Sequence, residues 1–134
     1  MRLDNVHFIP FQPLQDVPHI YAAADIGLVT LRKGIALDSF PSKAYTIMAS
    51  IRPIIAAADP GSDVWNLVKQ ATCGLCVEPE NPQALAEAIC TLYNDPALRK
   101  RLGRNGRKHV MQCYTRQIVA RQYHDLLTSL RHKA

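Results

Sequence analysis

Pro41, Ser42 and Lys43 place a helix-compatible proline, a hydroxyl and an ammonium side by side. Directly behind them Ala44, Ile47, Met48 and Ile51 follow at helical spacing. Serine as a cap, or proline in the first turn, starts a helix at this point. The leading amides of such a helix favour a negatively charged group, and Lys43 adds a full positive charge beside them. A lysine in a first turn opposes the helix dipole, so a phosphate partner accounts for it better than solvent does. Ser42 serves as a plain cap, as a phosphate contact, or as both. The chemistry on offer is the binding of a phosphate.

A second pair with chemical potential is Cys73-Gly74-Leu75-Cys76, which has the spacing of a dithiol redox motif. That motif works at a helix start, where the dipole lowers a thiol pKa. Here it lies in TCGLCVEP, which reads as a strand, and residues three apart on a strand point to opposite faces. No second pair of cysteines or histidines follows at zinc-finger spacing. Cys73, Cys76, Cys90 and Cys113 are therefore read as reduced cysteines, the pair buried and structural.

The elements that must position Ser42 and Lys43 alternate along the chain. Strands are expected at residues 6–9, 26–31, 54–57 and 74–77, and helices at 15–24, from Pro41 or Ser42 to about 50, and from Gly61 or Ser62 to about 70. Pro53 stops the helix that holds Lys43, and Ile54, Ile55, Ala56 and Ala57 are apolar throughout, as in a strand buried on both faces. Such alternation specifies an α/β fold, a Rossmann-like parallel sheet of about four or more strands with helices on both faces. Asp59, Pro60, Gly61 and Ser62 follow a strand and open a helix, so they are either a simple turn or part of a cleft at the carboxyl ends of the strands. From Asn81 onward the pattern is wholly helical. Asn81-Pro82 and Pro96 open two helices, Gly103 and Gly106 weaken the middle of the second, and residues 115–130 form a third. The last carries Ile118, Val119, Tyr123, Leu126, Leu127 and Leu130 on one stripe, long for so small a body and in need of something to pack on.

The chain has 134 residues, 48% of them hydrophobic, which suits one domain with one core. No apolar run approaches the ~20 residues that cross a bilayer, and the start MRLDNVHFIP has no secretory core, which points to the cytoplasm. The net charge of +5 is unevenly spread. Residues 97–134 hold ten bases against one acid, or +9, and residues 1–96 hold six bases against ten acids, or −4. A basic tail on an acidic body is either a solvated helix face or the neighbour of an anionic surface. Nucleic acid is excluded as partner, because no aromatic platform or recognition helix accompanies the basic residues.

The blocks YAAADIGLVTL, FPSKAYTIMASIRPIIAA and GLCVEPENPQALAEAICTLYNDPALRKRLGRNGR, in that order, resemble the C-terminal, donor-binding domain of GT-B glycosyltransferases of the family 4 type. The PSK form is similar to bacterial enzymes that assemble surface polysaccharides and lipid-linked oligosaccharides. The resemblance runs from about residue 6 to residue 110. It implies transfer of a sugar from a nucleotide-sugar donor with retention of anomeric configuration and without a bound metal or other cofactor. It also implies that the donor pyrophosphate lies against Ser39, Phe40, Pro41, Ser42 and Lys43. Family members often carry two glutamates separated by seven residues, the first near the transferred sugar and the second on the ribose. The matching positions are Asp38 and Thr46. Asp38 keeps a carboxylate on a shorter arm, whereas Thr46 offers one hydroxyl in place of a bidentate acceptor. Ile51 stands where a glycine is common after the helix.

The resemblance makes residues 1–134 a single nucleotide-sugar-binding domain, half of a GT-B enzyme, with the N-terminal acceptor domain absent. The partners implied are a nucleotide-sugar and that acceptor domain. The isolated chain is expected to bind a nucleotide and transfer no sugar. The basic face of residues 99–121 is expected near an anionic membrane surface, which would make the protein peripheral to the inner face of the membrane. The alternative is a non-catalytic nucleotide-binding or oligomerisation module, a homodimer formed through the last helix.

Overall fold

A computed structural model describes residues 3–35 and 40–131 of the chain. A short 3-10 turn, Leu14–Asp16, leads into helix α1, Val17–Ala23. Strand β1, Gly27–Thr30, is followed by α2, Lys43–Ala49, then β2, Ile54–Ala57, α3, Asp63–Ala71, and β3, Gly74–Val77. Three helices complete the chain: α4, Pro82–Asn94, α5, Pro96–Cys113, and α6, Arg116–Arg131. The strands form one parallel sheet in the order β1-β2-β3, with Gly27 beside Ile54 and Ile54 beside Gly74. No helix among the described residues is long and apolar enough to cross a membrane.

β2 shows why the sheet needs cover on both sides. All four of its residues are buried, and Ile54, Ile55 and Ala56 alternate between two clusters. Ile54 and Ala56 pack with Ala44, Ile47 and Met48 of α2, Val64, Leu67 and Val68 of α3, and Val110 of α5. Ile55 faces the other way and packs with Ala88 and Leu92 of α4 and Leu102 of α5. Helices thus lie on both faces of a parallel sheet, and the C-terminal part is helical, as the sequence specifies.

Two expectations are corrected. Residues 6–9 form no strand: Phe8 and Ile9 are 94% and 73% exposed, and nothing pairs with them, so among the described residues the sheet has three strands rather than about four or more. An apolar alternation becomes a strand only beside a neighbour that takes its backbone bonds. Gly103 and Gly106, expected only to weaken α5, are sites of close approach. A Cβ at Gly103 would run into the Ile51 carbonyl oxygen, and one at Gly106 would sit 3.2 Å from Cys73 Cβ. Gly103 lets α5 close on the turn between α2 and β2, and Gly106 lets it close on Met48 and Cys73.

Two helix starts carry an amide or acidic cap, Asn81 as expected and Asp95 in addition. Asn81 Oδ1 accepts from the Ala84 amide at 3.0 Å, and Asp95 Oδ1 accepts from the Leu98 amide at 2.8 Å. The serines behave differently. Ser42 is itself in helical conformation (φ −55°, ψ −24°) and makes no side-chain cap bond. Ser62 precedes α3 in extended conformation, yet its buried Oγ has no partner.

The cysteine pair is free and unbonded, with Cys73 buried and Cys76 half-buried. The expected placement on opposite faces is wrong, because Cys73 precedes β3 and packs in the same cluster that Cys76 borders. Burial, with a smaller contribution from Cys76, pushes the Cys73 thiol up to about 12, and burial pushes Cys76 up to about 11 against a small lowering by Lys69. Thiols held protonated in this way are poor nucleophiles.

Candidate functional site

In a parallel sheet covered by helices, the loops that leave the carboxyl ends of the strands gather along one edge. Here three such loops are tied together. The loop after β1 lends two backbone amides: Gly34 N–H donates to Asp59 Oδ2 at 2.8 Å, and Lys33 N–H reaches Glu80 Oε1 at 3.4 Å. Asp59 lies in the loop after β2 and Glu80 in the loop after β3. Asp59 also closes its own turn, its carbonyl accepting from Ser62 N–H at 3.1 Å, so it is both turn residue and cleft wall. Between the strand ends and α4 lies a hollow of about 240 Å³ bordered by Thr30, Leu31, Ala57, Glu80 and Pro82. Glu80 was missed from sequence, and its signal is weak: an acid one residue ahead of the Asn81 cap.

The run from Phe40 into α2 sits at this same edge. Pro41 and Ser42 form the entry turn, their carbonyls accepting from the Ala44 and Tyr45 amides at 3.0 and 3.1 Å. Ser42 and Lys43 are exposed. Ala44 is fully buried against the sheet and anchors the turn. Thr46 is half-buried on the next turn, and its carbonyl accepts from both the amide and the hydroxyl of Ser50. Asp38 and Ser39, also singled out from sequence, lie outside the described residues.

Phe40 is engaged in an aromatic ladder. Its ring stacks on Tyr45 with centroids 4.8 Å apart, Tyr45 meets Tyr114 at 4.6 Å, and Tyr114 meets His109 at 5.7 Å. The ladder fastens the end of the β1–α2 loop to α2 and to the end of α5. Burial, followed by the nearby Tyr114 and Asp63, raises the Tyr45 pKa. Asp63 opens α3. Phe40, Pro41, Ser42, Lys43 and Thr46 therefore share one turn-and-helix unit, at an edge whose other walls are Asp59 and Glu80.

Comparison with known proteins shows the family and the fold. The family described as Glycosyl transferases group 1 matches residues 2–109. "Probable glycosyltransferase WbjE" of Pseudomonas aeruginosa is 36% identical over 77 residues, which is 58% of this chain and 19% of that one. The D-inositol 3-phosphate glycosyltransferase of Salinispora arenicola is 31% identical over 106 residues, 79% of this chain and 22% of that one. Among solved structures, sucrose-phosphate synthase of Thermosynechococcus elongatus superposes with a TM-score of 0.72 at 29% identity, over 86% of this chain and 27% of that one. The chain spans about a fifth of the length of these two curated relatives. It belongs to the group 1 glycosyl transferases and has the fold of one half of a GT-B enzyme.

Proposed function

We propose that this chain is the donor-binding half of a retaining glycosyltransferase that takes a nucleotide-sugar. The observation that carries the reading is the convergence of three strand-end loops at one edge, joined through Asp59 and Glu80, beside the turn that presents Ser42 and Lys43. The donor diphosphate rests against residues 39–43. As the bond to the sugar breaks, negative charge grows on the departing diphosphate, and the Lys43 ammonium with nearby backbone amides stabilises it. Asp38 contacts hydroxyls of the transferred sugar, and the Thr46 hydroxyl gives the ribose a single hydrogen bond. The acceptor is a polysaccharide or lipid-linked saccharide held by the N-terminal half, and the reaction takes place in the cytoplasm, with the basic α5 turned toward an anionic membrane face.

Titration of the 134-residue chain with UDP, GDP and ADP, followed by calorimetry and NMR, tests the reading. One of the three binds with shifts at residues near Phe40–Thr46, and Lys43→Ala weakens that binding about tenfold. The same chain transfers no sugar, because the acceptor half is needed. Absence of binding by all three nucleotides, or turnover by the isolated chain, refutes the proposal. A second reading, a homodimer or assembly module, is favoured by one observation: Tyr123, Leu126, Leu127 and Leu130 of α6 are all exposed.

A further inference from the structure

The opposite, amino edge of the sheet holds a second concave surface, and its chemistry is cationic. A hollow of about 420 Å³ is bordered by Asp25 ahead of β1, by Ser50, Ile51, Arg52 and Pro53 between α2 and β2, and by Pro96, Arg99, Lys100 and Arg104 of α5. It therefore has four cations against one carboxylate. A neighbouring hollow of about 430 Å³ shares Lys100 and Arg104 and adds Arg101 and Asn105. Lys100 and Arg104 are four residues apart on α5, so their like charges stand over one another on one face and repel unless an anion lies between them.

The local hydrogen bonds show which cations are already occupied. Arg99 Nη1 donates to the Leu92 and Tyr93 carbonyls at 2.6 and 2.7 Å, and Arg52 Nη2 donates to the Ala22 carbonyl. Lys100 and Arg104 are exposed and take no hydrogen bond among the described residues. Arg52 keeps a buried Nε–H with no partner, and a buried donor left unpaired is unfavourable. The start of α5 is not the source of attraction, because Asp95 already holds the Leu98 and Arg99 amides.

We propose that this amino-edge pocket is a binding site for a phosphate-bearing ligand, with Lys100 and Arg104 on the phosphate oxygens and the Arg52 guanidinium adding positive charge to its wall. Two adjoining hollows joined by the same two cations leave room for more than one phosphate. The site lies across the sheet from the proposed donor cleft and is independent of it. The shared chemistry, a phosphate ester or diphosphate, can come from a free phosphate or from a lipid headgroup, and the experiment separates these sources.

The probes are inorganic pyrophosphate and vesicles of phosphatidylglycerol or phosphatidylcholine, applied to the 134-residue chain and its Lys43→Ala variant. Pyrophosphate is expected to give saturable NMR shifts at Arg52, Lys100 and Arg104 that persist in Lys43→Ala. The double variant Lys100→Gln/Arg104→Gln weakens them about tenfold, with an unchanged circular dichroism spectrum, while Arg116→Gln/Arg121→Gln on α6 leaves them intact. A response to phosphatidylglycerol vesicles through Lys100 and Arg104, without one to pyrophosphate, keeps the site and assigns it to a headgroup. The proposal is overturned if neither probe perturbs these residues, or if the α6 control variant weakens binding as much as the pocket variant.

Discussion

Between the last turn of α2 and the start of β2 the chain reverses through Ile51, whose φ of 59° lies in the left-handed region. The Arg52 amide reaches the Ile47 carbonyl at 3.2 Å and the Ile51 amide reaches Met48 at 3.1 Å, the paired bonds of a Schellman ending. That position favours glycine, and a β-branched residue there is strained by roughly 1–2 kcal/mol. Half of the Ile51 surface is exposed, so little burial offsets the strain. Ile51→Gly should therefore raise unfolding stability by about 1 kcal/mol, less whatever entropy glycine adds to the unfolded chain, measured as a higher urea midpoint at unchanged slope. The cysteines give a second residue-scale prediction. Their folded pKa values, about 12 and about 11, lie above the ordinary value of 9.0. The unfolded thiols lose protons first, so this contribution to stability is complete below pH ~9 and declines as pH rises toward ~11–12. In the native protein at neutral pH, exposed Cys90 should react with a thiol reagent while Cys73 stays protected until unfolding. Modification of Cys73 as fast as Cys90 would refute this.

At the scale of elements, the amino edge collects the carboxyl ends of the helices, where unsatisfied carbonyls and the negative dipole end invite cations. Arg52 reaches the Ala22 carbonyl at the end of α1, Arg107 reaches Ala49 at the end of α2, Asn105 reaches Thr72 after α3, and Arg99 reaches Leu92 and Tyr93 near the end of α4. Part of the basic excess of residues 97–134 therefore answers carbonyls inside the fold, not an external surface. The excess is visible in the sequence. Its partners are not, because a carbonyl has no sequence signature. The same asymmetry separates the strands: Pro53 and Gly74 bound two runs apolar on both faces, and these fell where expected, whereas residues 6–9 needed a neighbour that no local pattern reports. The helix start at Ser42 and Lys43 was legible from Pro41 and the apolar spacing behind it, but Glu80 and the Phe40–Tyr45–Tyr114 ladder depend on which loops and helix ends meet. Arg99→Ala should lower stability by about 1–2 kcal/mol, since it strips two carbonyls of a charged donor. Chemical denaturation at low and high salt would check it, and a loss that disappeared entirely in high salt would mean that no directed hydrogen bond was involved.

For the whole molecule, β1 and α6 each leave a surface without a packing partner among the described residues. β1 pairs only with β2, and Leu28 on it is 40% exposed. α6 leaves Tyr123, Leu126, Leu127 and Leu130 exposed along one side, and it touches the body chiefly through α5. Under the donor-half reading these surfaces meet the acceptor half of a longer enzyme; under the assembly reading the α6 stripe meets its own copy. Interface size separates the two. A specific dimer needs to bury about 1,000 Å² or more with good complementarity, which four half-exposed side chains on a single helix do not readily supply. The chain should therefore sediment as a monomer at micromolar concentration and self-associate only weakly as concentration rises. Leu126→Lys with Leu127→Lys should abolish that residual association without altering nucleotide binding, since the proposed donor residues lie on the β1–α2 loop and α2. A tight, concentration-dependent dimer that the double lysine variant dissolves would reverse the ranking and make α6 an interface between copies.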